Sequence, residues 1–547
     1  MSSPNMNTLK RCLADLRFTN SFTHHLIADA RTAGEPFARA RTPSPFAHTP
    51  RQVLSAHFSY VEPEPAPDPV LISVSKPCGE VLGLDLEAIL ADEREKDRFI
   101  GFVSGRYVPE GTNPWSMAYA GHQFGSWAGQ LGDGRAICLG EVTTEAEQRW
   151  EVQLKGAGLT PFSRFADGYA VLRSSIREYL CSEAMFHLGV PTTRALSLVG
   201  SSRRVQRETE ETGAVVCRLA PTWVRFGNFE LFLSRGDIPN LRLLADWVIA
   251  HHFPHLAAHP TKYSAWLTEV THRTAKTIAK WQSVGFCHGV LNTDNMSILG
   301  LTLDYGPFQF MDAYDPQYVC NHSDHTGRYA FDAQPGVGLW NVAKLASAVS
   351  PLVVDEENGD KSRAEDKLKE VLQSYAGKFH EEYMSLMTKK LGLMSPRPED
   401  VETLVKPLLA HLATLQADYT HFFRSLSTGF TLAQSDSKPP LSEPLEEWYN
   451  AYRTRLLSEL DSQAQDVLVK ADMDRMQRMK AANPKYILRN HLAQQVIDKA
   501  EKGDYGDLEA YFKVLQRPFE DGSAEEGTKF AGSVPSWAKG LKCSCSS

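Results

Sequence analysis

Between His288 and Gly306 the chain reads HGVLNTDNMSILGLTLDYG, and this stretch constrains the fold more than any other. It sets a His-Gly, an Asp-Asn pair and an Asp-Tyr-Gly into one polar span. Helical patterns surround it: RLLADWVIAHH and TEVTHRTAKTIAKWQSVG come before, and helical periodicity resumes after it through about residue 425. Within the span, MSILGLTLDYG is expected as a short hairpin with Gly300 at its turn. Such a span is either a plain helix-to-hairpin loop or the carrier of a site.

The first half of the chain has the opposite character. From about 101 to 160 it is glycine-rich and strand-like, and RAICLGEV and EVQLKG alternate as the two arms of a hairpin with TTEAEQRW near its turn. SSIREYLCSEAMFHLGVP (174–191) is expected as a helix, with Ile176, Tyr179, Leu180 and Ala184 on one face and Gly-Val-Pro at its end. TGAVVCRLAP returns to strand. The proline-spaced VEPEPAPDP (61–69) is an extended linker or surface arm, DEENGDKSRAEDKLKE (355–370) a solvated charge run, and SDSKPPLSEP (435–444) a break before a last helical section reaching about 515. No internal repeat is evident. The expected architecture is α+β and two-lobed, with the site between the lobes. It divides into an N-terminal extension and linker (1–69), a strand-rich lobe (70–235), a helical lobe (236–434) and a helical C-terminal extension with a cysteine-containing tail (435–547).

Bulk properties exclude several classes. Apolar residues make up 42% and charged residues 23% of 547, which is ordinary globular usage and enough for a sizeable core. A net charge of -8 argues against a nucleic-acid binder that works by bulk basicity. No uninterrupted apolar run approaches the roughly 18–20 residues that span a bilayer, and the N-terminal basic residues are not followed by a secretory apolar stretch. Of the nine cysteines, seven are scattered singly, without zinc-type pairing; only Cys543 and Cys545, in KCSCSS, lie together.

The candidate site residues are individually ambiguous. In QLGDGRA, Gly132 and Gly134 flank Asp133, and Arg135 follows; such a loop can bring backbone amides close to phosphates, or it can be an ordinary Asp-Gly hairpin turn. Lys155 leaves a strand just after that loop, where it could neutralise phosphate or simply be solvated. Glu178 could pair with Lys155, but Ser175-Ile176-Arg177-Glu178 also has the form of a helix capping box. Arg218 and Arg225 offer forked donors for phosphate oxygens. Asn295 and Asp304 offer the hard oxygen donors that suit Mg²⁺.

Order adds what the single motifs lack. Glycine loop, strand lysine, helix glutamate, an H-x₆-N loop and D-x-G follow one another as the parts of a protein kinase do. His288 to Asn295 keeps the register of the kinase loop H-R-D-x-x-x-x-N, but Gly289 replaces the Arg and Val290 replaces the catalytic Asp. The reading is a kinase-like nucleotide site without the kinase base.

At this point the sequence resembles selenoprotein O, the family also called YdiU, which has a protein-kinase-like fold. NPWSMAYAGHQFGSWAGQLGDGRA, EVQLKGAGLTPFSRFADG, VLRSSIREYL and HGVLNTDNMSILGLTLDYGPFQFMDAYDP carry the resemblance, densely over roughly 100–340. It implies a pseudokinase that transfers AMP from ATP to protein Ser, Thr or Tyr hydroxyls, with ATP flipped so that its α-phosphate meets the acceptor. It further implies Asp294 as catalytic base, and Asn295 and Asp304 as ligands of Mg²⁺, with Mn²⁺ as the alternative. Gly132, Gly134, Arg135, Lys155, Asp167, Gly168, Arg218, Arg225 and Asp304 would bind ATP, with Lys155 ion-paired to Glu178. The implied partners are ATP and protein substrates, with no nucleic acid and no membrane insertion.

Family members often end in Cys-x-x-Sec or Cys-x-x-Cys; here Lys542 stands where the partner of Cys545 would be. A Cys543–Cys545 disulfide would close a strained ring, so a tail cysteine is expected to pair with Cys320, giving redox dependence through a thiol partner; idle tail thiols are the alternative. The resemblance implies mitochondrion in a eukaryote and cytoplasm in a bacterium. The CSCSS tail and a start with seven Lys/Arg against three acids in 60 residues favour the mitochondrion. Two rival functions remain at this point, a conventional kinase transferring the γ-phosphate and an inactive nucleotide-binding scaffold.

Overall fold

A computed structural model describes residues 9–33, 44–433, 445–538 and 540–541. Along Glu210–Ala220 the side chains alternate between two cores: Ala214 and Val216 enter one apolar cluster, Val215, Cys217 and Leu219 another. Period-two alternation of apolar residues on both sides calls for a sheet covered on both faces.

That sheet is formed from β1 (Phe58–Tyr60), β2 (Val70–Val74), β3 (Trp115–Met117), β6 (Ala136–Thr143), β7 (Arg149–Lys155), β8 (Ala170–Val171), β9 (Arg194–Gln206) and β10 (Glu210–Ala220), while β4 (Ala120–Gln123) and β5 (Ser126–Gln130) form a separate hairpin. The order is β1-β3-β6-β7-β10-β9-β2, with β8 against β10, and neighbours run antiparallel. The expected β6–β7 hairpin is present, with Ala136 opposite Lys155. Phe18 already bridges Val142 of β6 and β1 follows at Phe58, so part of the first 69 residues belongs to the sheet. Helices Leu86–Ala91 and Glu93–Val103 cover one face through Ile89, Phe99 and Phe102. The helix Leu172–His187 covers the other through Ile176, Tyr179 and Leu180. It occupies the place expected for the 174–191 helix, starting two residues earlier and stopping before Gly189.

The helical lobe follows. Phe226–Ser234, Ile238–His252, Lys262–Val284, Gln334–Glu356 and Lys361–Lys390 pack together, with the polar span between the third and fourth. By length and composition Phe331–Glu356 reaches what a membrane span needs, although polar residues such as Asn341 and Lys344 interrupt its apolar run. In this fold it is the lobe's core helix, with Val342, Leu345, Val349 and Leu352 fully buried. The expected 296–306 hairpin is reduced to one bridge, Met296 to Thr302, around the Ser297–Gly300 turn. Regular pairing occurs instead just outside it, between β11 (Phe286–Cys287) and β12 (Gln309–Phe310).

The last helices return to the strand-rich lobe. Arg177 donates to Asn490 Oδ1 (2.8 Å), Tyr179 stacks on Phe512 with ring centres 4.7 Å apart, and Arg489 forks between Asp312 and Asp418 (both 2.8 Å). The helix that carries Glu178 is thereby held between sheet and C-terminal section.

Candidate active site

The β7–β10 register builds the floor of the site. Arg218 lies directly opposite Gln153, and Lys155 is two residues further along β7 on the same face. The helix Leu172–His187 lies under that face and raises Glu178 between the two cations. Glu178 accepts from Lys155 Nζ (2.7 Å) and from Arg218 Nη1 (2.7 Å), so the ion pair is present. The capping-box alternative fails: the helix begins three residues before Ser175, and the buried Ser175 hydroxyl has no hydrogen-bond partner among the described residues. The solvated-lysine alternative fails too, because the Lys155 side chain is 13% exposed.

Asp304 joins the floor to the polar span. Its Oδ1 accepts from Arg218 Nη1 (2.7 Å) and lies 3.6 Å from Lys155 Nζ, and its Oδ2 accepts from Arg225 Nη1 (2.8 Å). Its backbone is left-handed, φ 51°, an unusual conformation for a side-chain-bearing residue that recurs at functional positions. Arg225 also donates to the carbonyl of Asp294 (2.8 Å), and its guanidinium stacks over Tyr119 at 4.5 Å. Burial pushes the Asp304 carboxyl upward, but Arg225, Lys155 and Arg218 outweigh it and hold the group well below the usual carboxylate range. Burial likewise raises Glu178, and Lys155 and Arg218 more than reverse it. For Lys155, burial pulls the ammonium down against the opposing pull of Glu178.

Lys155, Glu178, Arg218 and Asp304 line one cleft of about 800 Å³ between the lobes, together with Gly132, Gly134, Arg135, Asp167, Val290, Asp294 and Asn295. QLGDGRA is not the tight turn of a hairpin; it carries the chain from β5 into β6, which belong to different sheets. Thr160 Oγ1 donates to the Asp133 carbonyl (2.7 Å) and Ser163 Oγ to that of Gly134 (2.5 Å), which docks the loop 159–169 onto it. Gly168 adjoins the cleft residues Asp167 and Tyr169. At φ 80° a Cβ there would sit 2.3 Å from the Gly158 carbonyl carbon, so only glycine fits.

Asp294 is buried, and its Oδ2 accepts from Gln123 Nε2 (2.9 Å). Burial raises its carboxyl to about 7, against the pull of Gln123 and Arg225, which suits a group that exchanges a proton near neutral pH. Asn295 donates through Nδ2 to the Val290 carbonyl (2.8 Å), which turns its side-chain oxygen into an available acceptor. That oxygen and the Asp304 carboxylate are hard donors on one cleft wall and fit a divalent ion that completes its sphere with phosphates and water. Among the described residues no cluster of three or more His, Cys, Asp or Glu side chains could hold a metal by itself.

Two cleft residues were not anticipated. Arg207 forks onto Asp167 (2.7 and 3.2 Å), and Gln123 holds Asp294. Neither sits in a phosphate- or metal-binding motif, so no local signal pointed to them. Cys320 is fully buried, and its thiol donates to the Cys287 carbonyl (3.5 Å). Its expected partners, Cys543 and Cys545, lie outside the described residues.

Comparison with known proteins bears on the same region. The family model described as protein adenylyltransferase SelO matches residues 45–516. A protein nucleotidyltransferase YdiU of Cupriavidus metallidurans is 46% identical over 90% of this chain and 89% of its own length. Those of Thioalkalivibrio sulfidiphilus (44%; 98% of this chain, 99% of its own) and Methylococcus capsulatus (49%; 80% and 86%) are similar to the same degree.

Proposed function

This chain belongs to the protein adenylyltransferase SelO family, and from that premise we propose that it transfers the AMP of ATP to Ser, Thr or Tyr hydroxyls of protein substrates, with ATP bound triphosphate-inward. One observation carries the orientation. The inner part of the cleft gathers Lys155, Arg135 and Arg218 around Glu178 and Asp304, with Arg225 paired to Asp304 behind them. Cations clustered at that place favour the most highly charged end of the ligand, the β- and γ-phosphates. The α-phosphate is then left toward Asp294, and Val290 needs no carboxylate.

In the reaction the acceptor oxygen attacks the α-phosphorus, and the bond from that phosphorus to the oxygen bridging to the β-phosphate breaks. Pyrophosphate departs with the bonding electrons, and the hydroxyl proton passes to Asp294. Arg218, Arg225 and Lys155 stabilise the charge that develops on the leaving group. Asn295 and Asp304 would hold Mg²⁺, or Mn²⁺ in its place, which supplies further charge neutralisation to the phosphates when bound. Arg207 and Asp167 close the cleft wall.

Two further parts of the reading rest on sequence alone. A mitochondrial location is supported by the weakly basic start, although Leu13, Leu16 and Phe22 from that region are buried parts of the fold. Redox control would join Cys320 to Cys543 or Cys545, two thiols giving two electrons and two protons to a thiol-redox partner. The burial of Cys320 means that its segment must open first. Equal AMP transfer by Cys320→Ser and the unaltered protein under both oxidising and reducing conditions would remove this part.

The central test uses ATP labelled at the α- or the γ-phosphate, with Mg²⁺, reductant and a mixed protein extract, and Asp304→Ala as control. Protein-bound label from α-ATP alone, lost in the variant, is the expected result. Label from γ-ATP alone would make the protein a conventional kinase, and label from neither would favour a nucleotide-binding scaffold.

A further inference from the structure

The β4–β5 hairpin grips the polar span residue by residue. His122 N donates to Thr293 Oγ1 (2.7 Å), Gln123 Nε2 to Asp294 Oδ2 (2.9 Å), and Phe124 N to Asn292 Oδ1 (3.3 Å) and Tyr329 Oη (2.8 Å). Three consecutive residues of one element thus hold three consecutive residues of the other. The grip is anchored from behind, because the His122 ring bonds Glu230 Oε1 (2.6 Å). It is also close: a Cβ on Gly121 would lie 2.8 Å from Asp294 Oδ1.

The two oxygens of Asp294 are therefore unequal. Oδ1 is sealed against Gly121 and has no hydrogen-bond partner among the described residues. Oδ2 is the oxygen that a side chain orients, and that side chain is Gln123. One amide hydrogen bond occupies one lone pair of Oδ2 and leaves the other for a proton. We infer that Gln123 is a positioning residue for AMP transfer, fixing Asp294 so that Oδ2 faces the acceptor hydroxyl. This rests on the reading of Asp294 as the group that receives the acceptor's proton. Gln123 acts through Asp294 and needs no contact with the nucleotide.

The test is a kinetic cycle with α-labelled ATP and one fixed protein extract as acceptor. It compares the unaltered protein, Gln123→Met (same length, no donor), Asp294→Asn and the double variant. Loss of one hydrogen bond to a charged group should lower the rate at saturating ATP roughly 10- to 100-fold for Gln123→Met, with the KM for ATP little changed. In the Asp294→Asn background the same change should have no further effect on the residual rate. An unchanged rate in Gln123→Met would overturn the inference, as would a raised KM at unchanged kcat or a full additional loss in the double variant. Should Gln123→Met not fold, the isosteric Gln123→Glu serves, and undiminished transfer there is equally fatal. Absence of α-label with the unaltered protein removes the AMP-transfer reading itself, whereas normal transfer by a Gln123 variant removes only this inference.

Discussion

Arg225 donates from one nitrogen, Nη1, to both the Asp304 carboxylate (2.8 Å) and the main-chain carbonyl of Asp294 (2.8 Å). The guanidinium ties the D-x-G element to the preceding loop, so the two pieces of the polar span cannot move apart without breaking a buried charged contact. The Arg225 side chain is 1% exposed. Removing it takes the donor from Asp304 Oδ2 and from the Asp294 carbonyl while Oδ1 keeps Arg218, and Arg225→Ala should cost about 1.5–3 kcal/mol of stability in urea unfolding, the scale of a lost charged hydrogen bond. Activity should fall with it, even at temperatures where the variant is still folded.

Arg207 presents a separable case. Its fork on Asp167 holds the outer wall of the cleft, away from the proton-accepting group. Arg207→Ala is expected to raise the KM for ATP roughly tenfold, the scale of one charge-assisted contact, with kcat nearly unchanged. A fall in kcat at constant KM would place Arg207 in the chemical step instead.

Ser175 separates the two readings of Glu178. With its hydroxyl buried and without a partner among the described residues, Ser175→Ala should change stability by no more than about 0.5 kcal/mol or improve it. A loss of about 1 kcal/mol in thermal or urea unfolding, typical of a removed helix cap, would restore the capping role.

Acid should destabilise the protein through buried histidines. His57 is neutral in the fold, with Nε2 donating to the Asn240 carbonyl (3.1 Å) and Nδ1 accepting from Ile27 N (3.1 Å). Burial lowers it from 6.5 to about 4, against the backbone contacts and Asp237. The unfolded chain takes up this proton below about 6.5 and the folded chain does not, so the stability contributed is complete above that pH and is lost as pH falls toward 4. A shift of this size amounts to about 3 kcal/mol. His57→Gln should flatten the decline of unfolding free energy between pH 6.5 and 4.5; an identical decline in both proteins would refute the assignment.

Local pattern made much of this legible. The alternation in EVQLKG placed Lys155 on a strand face, and the spacing from His288 through Asn295 to Asp304 named the polar span before any fold was known. Local pattern also misled. Ser175 to Glu178 reads as a helix start, yet the chain enters that helix directly from β8, whose pairing with β10 sets the first turn earlier. Tertiary pairing outweighed a capping motif worth about 1 kcal/mol.

Gln123 and Arg207 were invisible for a different reason. Gln123 meets Asp294 across 171 positions of chain, and Arg207 meets Asp167 across 40, with no periodicity linking either pair. The sequence by itself determined which chemical groups the site has, and the order of strands, helices and loops that carry them, because residue type, short spacing and period are local properties. Only the tertiary structure decided that Lys155, Arg135, Arg218 and Arg225 gather around Glu178 and Asp304, that one oxygen of Asp294 is sealed, and that Gln123 holds the other. Those facts depend on burial and on contacts between distant segments, where the low dielectric turns charge balance and single hydrogen bonds into large effects.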